Sequence, residues 1–347
     1  MFERYETFIL SNKSQVNAIE NGLRTLTYIL PGRFSDAELP SEALYSLLNL
    51  VGLYHDKILD NSKNNETERD DKNVFNRYTR SLIQTSNLYK QFAYALSLIE
   101  YTEVLMEMLY IKRYGQKGKY KLISLIELIK MLLKLALFKL SKNRTLLASA
   151  HPERDRMANE NENAKATDKG LWEGKRTGYK HKNITSITRE SNINGFLISK
   201  VLNKDSARKS ESLVSKLFSF GKYAEWLYII RPFIYVCMLH KFGHKSWKPW
   251  LLSLGLEIIS FQLKEQYNKD VIGEEDLSSL EIEERKRRKY ALLYYLLKSP
   301  FFALYTKIFM LKFSDFASNR FLISFFAGML KDYIPLWEKY YFYSSGP

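Results

Sequence analysis

The chain of 347 residues contains a single cysteine, Cys237. One cysteine cannot form an intramolecular disulfide, so the disulfide-stapled scaffolds of small secreted proteins are excluded. Glycine and proline are also scarce, with 15 and 8 residues, against the roughly 12% of an average chain. Because these residues interrupt regular structure, their scarcity favours long helices. The first ten residues, MFERYETFIL, carry early charges and lack the apolar core of a cleavable signal peptide.

Sequence motifs for catalysis or metal binding are also missing. The chain has no phosphate-binding loop, dinucleotide-binding glycine motif, nucleophile elbow, HExxH helix or zinc-type cysteine cluster. His240 and His244 are spaced to share one helix face, but no third metal ligand accompanies them. We therefore expect no metal, no cofactor and no small-molecule substrate.

Three glutamates, Glu100, Glu103 and Glu107, recur on one face of an otherwise apolar predicted helix. Grouped carboxylates can perform acid–base chemistry, although the Glu-x-x-His partner of di-iron helices is missing. The preferred interpretation is a structural stripe of ion pairs, with Lys130 and Lys134 as candidate partners. An enzyme that uses this face is kept as a third hypothesis.

What the chain does contain is positive charge and aromatic side chains. Its formal net charge is +15, and it has 24 tyrosines, 21 phenylalanines and 5 tryptophans. A basic chain favours an anionic partner such as phospholipid or nucleic acid. Tyrosine and tryptophan suit a bilayer–water interface, and they equally suit stacking on single-stranded bases. Both classes of partner stay open on composition alone.

The most apolar stretch covers residues 122–140 (LISLIELIKMLLKLALFKL). Its twelve Leu, Ile and Phe residues contribute roughly −5 kcal/mol to membrane insertion, whereas Glu127, Lys130 and Lys134 each cost roughly +3 kcal/mol. The balance is unfavourable, so we predict a poor autonomous span. The three charges form one narrow stripe on a helix, which favours a helix lying in the interface.

Hydrophobic periodicity predicts an all-α fold of long helices in a membrane-associated arrangement. We predict an N-terminal helical region over residues 1–141, with one long helix over 74–114 and an apolar helix over 119–141. Residues 142–212 are polar, basic and without periodicity, which predicts a disordered linker. A C-terminal helical region with an aromatic-rich tail follows over 213–347, so that two bundles flank the linker.

Two clusters of basic residues border apolar helices and are predicted to contact lipid headgroups. The first cluster consists of Lys112, Arg113, Lys117, Lys119 and Lys121. The second consists of Arg285, Lys286, Arg287, Arg288 and Lys289.

Six sequence blocks, in order, resemble the peroxin-16 family of peroxisomal membrane biogenesis factors. The C-terminal blocks are YIIRP (228–232), SWKPWL (246–251), LLYYLLKSPF (292–301) and DYIPLWEKYYFY (332–343). The upstream blocks are GRF (32–34) and EVLMEM (103–108). The resemblance covers both helical regions and spares the linker.

This resemblance implies a non-enzymatic docking protein that recruits other membrane proteins while peroxisomes assemble from the endoplasmic reticulum. It implies peroxin-3 and peroxin-19 as partners and a peroxisomal membrane location reached through the endoplasmic reticulum. Some family members are described with two spans, which correspond here to about 120–140 and 232–254. The residues expected at a partner or membrane interface are Arg33, Glu103, Glu107, Arg231, Pro232, Trp247, Lys248, Pro249, Trp250, Pro300, Trp337, Tyr341 and Tyr343. The rival hypothesis from another class is a basic helical nucleic-acid-binding module, although no nucleic acid is expected as a partner if the resemblance holds.

Overall fold

The part of the chain that the structure describes folds mainly into α-helices, as composition and periodicity predict. A computed structural model describes residues 2–29, 38–63, 74–116, 118–153, 171–173, 180–182, 205, 208–273, 276–318 and 321–345. Besides helices, turns and loops, these ranges contain two three-residue strands, β1 (Leu171–Glu173) and β2 (Lys180–Lys182), which pair antiparallel, and one isolated bridge between Arg144 and Lys216. The all-α prediction is confirmed, with this small hairpin as an addition.

In the N-terminal part, the described residues form six helices. They are α1 (Phe2–Ser11), α2 (Lys13–Ile29), α3 (Glu38–Lys63), α4 (Val74–Thr85), α5 (Asn87–Tyr114) and α6 (Lys119–Leu140). The predicted single helix over 74–114 is wrong, because Ser86 adopts an extended conformation and its side chain caps α5 by accepting a hydrogen bond from the backbone N–H of Tyr89. The predicted end at Gly115 is confirmed, and its φ of 73° suits glycine.

The C-terminal part contributes six further α-helices within the described residues. They are α7 (Phe220–Phe242), α8 (Trp247–Tyr267), α9 (Ser279–Ala291), α10 (Lys307–Ser318), α11 (Phe321–Lys339) and α12 (Phe342–Ser345). A turn at Gly243 separates α7 from α8, so residues 232–254 do not form the single spanning helix that the family resemblance implied. Among the described residues, no helix combines the length and hydropathy required to cross a bilayer.

The predicted linker begins too early. Residues 142–153 are ordered against the helices: Leu146 and Leu147 pack on a core that includes Phe75 and Leu96. His151 is buried and lies 2.9 Å from the hydroxyl of Ser97. Large apolar residues are few here, so a composition test misses a segment that is held by two leucines together with polar contacts. Most of the remaining predicted linker, 154–170, 174–179 and 183–204, lies outside the described residues.

Helices from the two parts pack against each other. Ile123 and Ile126 of α6 share a buried cluster with Tyr235 and Val236 of α7, and the tail residue Phe342 joins it. The described helices therefore share a core across the linker and do not form the two separate bundles that were predicted. Periodicity gives the buried face of a helix but not the helix that covers it, which explains this error.

Candidate functional site

The centre of the molecule carries a set of buried charged side chains, which we term the ionic seam. Its members lie between α5, α6, α7, α8 and α9 and the residues around 298. They are Glu103, Glu107, Lys119, Glu127, Lys130, Glu225, Arg231, Glu257, Glu284, Arg288 and Lys298. Burying charge is unfavourable unless opposite charges or hydrogen bonds compensate, so each position requires a partner.

The glutamate face of α5 pairs with lysines of α6, as the structural interpretation predicts. Lys130 Nζ donates to Glu103 Oε2 at 2.7 Å, and Lys134 Nζ lies 3.1 Å from Glu100 Oε1. Burial raises the pKa of Glu103 to about 7, and the neighbouring Glu127 and Glu100 add to this effect against the opposing charge of Lys130. These carboxylates hold the α5–α6 contact, and nothing in their geometry indicates a substrate.

Glu107 has a different role, which sequence reasoning missed. Its two carboxylate oxygens accept hydrogen bonds from the backbone N–H groups of Tyr341 at 2.8 Å and Phe342 at 3.1 Å. Lys119 Nζ lies 3.2 Å from the same carboxylate and also donates to the Lys339 carbonyl. Glu107 therefore docks the aromatic tail onto the N-terminal part. No sequence signal links positions that lie more than 230 residues apart.

The tail has a second attachment at its last described turn. The hydroxyl of Tyr343 donates to Glu42 Oε2 of α3 at 2.8 Å, and the Tyr341 ring stacks on Tyr235. Burial raises the pKa of Glu42, and the hydrogen bond from Tyr343 partly opposes that effect. The two predicted interface residues Tyr341 and Tyr343 are thus occupied by contacts within the chain.

Arg231 and Lys298 form the part of the seam around α7 and α8. Arg231 makes an ion pair with Glu257, and both side chains are buried. Lys298 Nζ lies over the rings of Tyr295 at 4.6 Å and Tyr235 at 5.2 Å. Within the described residues no carboxylate lies within 4 Å of this nitrogen; burial, with Arg231 nearby, lowers the pKa of Lys298 to about 7.

Arg288 is wrongly predicted as a headgroup contact. It is buried and donates to Glu225 at 2.7 Å, to Glu284 at 2.7 Å and to the Leu146 carbonyl at 3.2 Å. Lys119 is corrected for the same reason, because it is buried against Glu107. A run of basic residues does not show which of them face inward. On a helix, about one residue in three or four faces the same side.

The other members of the two basic clusters differ in exposure. Lys112, Arg113, Lys121, Lys286 and Lys289 are exposed. Arg287 pairs with Glu284 at 2.7 Å and Arg285 lies 3.4 Å from Glu265, so both are half-buried. Lys117 and Arg33 lie outside the described residues. Headgroup contact by the five exposed cations stays a prediction.

The three tryptophans expected at an interface lie in two separate places. Trp247 and Trp250 contact each other edge-to-face, and Trp250 stacks on Phe301 and donates from Nε1 to the Tyr295 carbonyl. Trp337 instead contacts Phe302 and Tyr333. Among the neighbouring predicted residues, Lys248 is exposed, Pro249 and Pro300 are buried, and Pro232 is half-buried within α7.

A cavity of about 420 Å³ lies between the two parts. Its volume falls within the roughly 300–1,000 Å³ of small-molecule sites. Its charged lining includes Glu103, Lys130, Arg231 and Lys298, all members of the ionic seam. Because most of these groups pair with one another, we treat the cavity as part of the seam. In the described ranges no group of three His, Cys, Asp or Glu side chains is arranged to hold a metal ion.

Comparisons with known proteins agree with the sequence resemblance. The family model described as "Peroxisomal membrane protein (Pex16)" matches residues 3–339. The chain is 26% identical over 346 aligned residues to "Peroxisome biogenesis protein 16" of Arabidopsis thaliana, covering 88% of this chain and 89% of that protein. It is 38% identical over 123 residues to "Peroxisome biogenesis factor 16" of Dictyostelium discoideum, covering 35% of this chain and 30% of that protein. No solved structure matches the chain significantly.

Proposed function

Because the chain belongs to the Pex16 family of peroxisomal membrane proteins, we propose that it is a non-enzymatic docking protein that recruits other membrane proteins while peroxisomes form. The observation that carries this proposal is the family match over residues 3–339, which includes both helical parts. The geometry is compatible with it, since Glu100, Glu103 and Glu107 are committed to ion pairs and to the tail. Both relatives are named for peroxisome biogenesis, which is a broader function than docking.

Attachment to the membrane is the first part of the proposal. The exposed cations Lys112, Arg113, Lys121, Lys286 and Lys289 would meet anionic headgroups. Each such residue contributes about 1 kcal/mol near an anionic surface, so that a few together are sufficient for reversible attachment. Direct headgroup contact by Arg288 and Lys119 is not part of the proposal, because both are buried.

Recruitment is the second part. We propose a peroxin-3-type protein as the docked membrane protein, a peroxin-19-type protein as a further partner, and passage through the endoplasmic reticulum membrane before the peroxisome. These partners and this route follow from the family resemblance. The nucleic-acid alternative is not favoured, because both named relatives are peroxisome biogenesis proteins.

The experiment is complementation in cells of the chain's own lineage that lack it. Expression of the chain should restore peroxisomes and bring peroxin-3 to the endoplasmic reticulum before mature peroxisomes are present. Peroxisomes that return without peroxin-3 recruitment would contradict the docking role but not the family function. A salt-titrated comparison of anionic liposomes with single-stranded oligonucleotides tests the rival: tighter binding to the oligonucleotide would favour it.

A further inference from the structure

Helix α10 has the reverse of the usual polarity of a surface helix. The face towards α11 carries small side chains: Ser314 and Ala317 are buried, and the Ser314 hydroxyl donates to the Ala327 carbonyl at 2.9 Å. The opposite face, which we term the α10 face, consists of Ile308, Phe309, Phe313 and Phe316. These side chains are 50%, 71%, 51% and 65% exposed. A helix in water normally buries its large apolar side chains, so this face requires a covering.

The α10 face continues into neighbouring exposed aromatic residues. Tyr305, which is 59% exposed, precedes it by one turn, and its ring lies 5.1 Å from the ring of Phe301. Phe301 in turn stacks on Trp250, which contacts Trp247. A chain of aromatic contacts, in which Phe301 and Trp250 are half-buried, therefore links the α10 face to the exposed Trp247 at the start of α8.

Basic side chains outnumber acidic ones around this surface, and the one acidic residue of α10, Asp315, pairs with Lys331 at 2.8 Å. No Asp or Glu occurs from residue 285 to 314 or from 232 to 256. Lys312 lies among the apolar side chains of the α10 face and is exposed, as are Lys245 and Lys248 beside Trp247. Lysine can extend its ammonium to the headgroups while its stem covers apolar surface. An apolar face with basic side chains and Trp and Tyr at its border complements an anionic bilayer surface.

We propose that α10 lies in the plane of the membrane and inserts Ile308, Phe309, Phe313 and Phe316 among the lipid chains, with Lys312 at headgroup level. This proposal rests on the proposed membrane function and names the surface that performs the attachment. It differs from attachment by the basic clusters alone, since apolar insertion persists when salt screens the charges.

The test uses the full-length protein on vesicles of phosphatidylcholine with and without phosphatidylserine. In a Cys237→Ser background, an environment-sensitive fluorophore is placed at Phe309→Cys, and a control fluorophore at Tyr223→Cys. Tyr223 is 63% exposed at the opposite end of α7 from the α8 turn. We expect a blue shift at position 309 and quenching by brominated lipid chains, with neither effect at 223. Quenching at neither position, or at both equally, would overturn the proposal.

A variant pair gives a second measurement. Phe309→Ser with Phe316→Ser should reduce partitioning onto vesicles by about tenfold or more, also at high salt. Tyr223→Ser with Trp226→Ser removes exposed aromatic residues elsewhere and should leave partitioning within about twofold. Equal partitioning of both variants and the unsubstituted chain would overturn the proposal. A blue shift at position 309 without lipid, in a particle of twice the mass, would also overturn it, because a second copy of the chain would then cover the α10 face. Complementation failure with intact quenching would contradict the docking function and leave the α10 assignment standing.

Discussion

At the scale of single residues, the buried charges determine how the fold responds to pH. Glu103 is the clearest case, because burial raises its pKa to about 7 from an ordinary value of 4.5. In the folded protein the Glu103 carboxyl keeps its proton up to about pH 7, whereas in the unfolded chain it loses the proton above about pH 4.5. The contribution of Glu103 to stability is therefore lost as the pH rises from 4.5 through 7.

We expect Glu103→Gln to remove this pH dependence. The free energy of unfolding of the variant relative to the unsubstituted chain should rise by about 2 kcal/mol between about pH 5 and pH 8, because glutamine has no proton to lose. Urea unfolding in a mild detergent at several pH values measures the difference. Glu338→Gln, at an exposed carboxylate paired with Lys307, is the control and should show no such trend. Parallel curves for Glu103→Gln and the unsubstituted chain would contradict the prediction.

Arg288 and Lys286 give a second contrast between neighbours in sequence. Arg288→Met should lower the free energy of unfolding by about 3–5 kcal/mol, because it leaves the buried carboxylate of Glu225 without its ion-pair partner and leaves Glu284 with Arg287 alone. Lys286→Met, at an exposed position, should change stability by no more than about 0.5 kcal/mol. Chemical denaturation measures both. Similar losses of stability in the two variants would show that the buried ion pairs of Arg288 do not make it more important for folding than the exposed Lys286.

At the scale of elements, the sequence predicts the helices well where their ends carry local signals. The apolar helix expected over 119–141 is α6, Lys119–Leu140, and Gly115 ends α5 as expected. The break at Ser86 was missed, since a single serine cap inside a periodic pattern is a weak signal. The packing of residues 142–153 was missed because Leu146 and Leu147 act through contacts with distant helices, which composition does not report.

The attachment of the tail to α5 is the element-scale contact that local patterns could not predict. In Glu107→Gln, an NH2 group replaces one of the two carboxylate oxygens. Because NH2 cannot accept a hydrogen bond from a backbone N–H, one of the two bonds from Tyr341 and Phe342 is lost. A hydrogen bond to a charged acceptor contributes about 1.5–3 kcal/mol, so we expect amide hydrogen exchange at residue 341 or 342 to quicken by about tenfold to a hundredfold.

Hydrogen exchange followed by mass spectrometry measures this change in the C-terminal peptide. Glu100→Gln is the matched control, because Glu100 lies two turns earlier on the same face of α5 and pairs with Lys134 instead of the tail. Its tail exchange should equal that of the unsubstituted chain. Equal exchange in Glu107→Gln as well would show that the aromatic contacts of the tail hold it without the carboxylate.

At the scale of the whole molecule, the interior and the exterior bear on function in different ways. The interior joins the N-terminal and C-terminal parts through a shared apolar cluster and through hydrogen bonds from the tail backbone to Glu107. The exterior exposes apolar and basic side chains on the α10 face and its surroundings. The sequence indicates an anionic partner from composition and a family from its motifs. It could not identify which basic residues face outward, since that depends on how helices from both parts cover one another.

The joined interior leads to a prediction about a divided chain. With a specific protease site placed after residue 190 and cleaved in mild detergent, the two fragments should stay together. Contacts across the parts support this: the Leu146 N–H donates to Glu225 at 3.2 Å, the Leu217 N–H donates to the Asn143 carbonyl at 2.8 Å, and α6 packs on α7. Size-exclusion chromatography with native mass spectrometry should detect one particle of unchanged mass.

The Arg288→Met variant, which removes the ion-pair partner of Glu225, gives a second measurement. After cleavage its fragments should separate at a lower urea concentration than those of the chain without the substitution, because unpaired charge then opposes burial of the shared core. Fragments that elute apart immediately after cleavage would mean that the two parts are held together by the intact backbone, and the two-bundle organisation expected from the sequence would then describe the protein in solution.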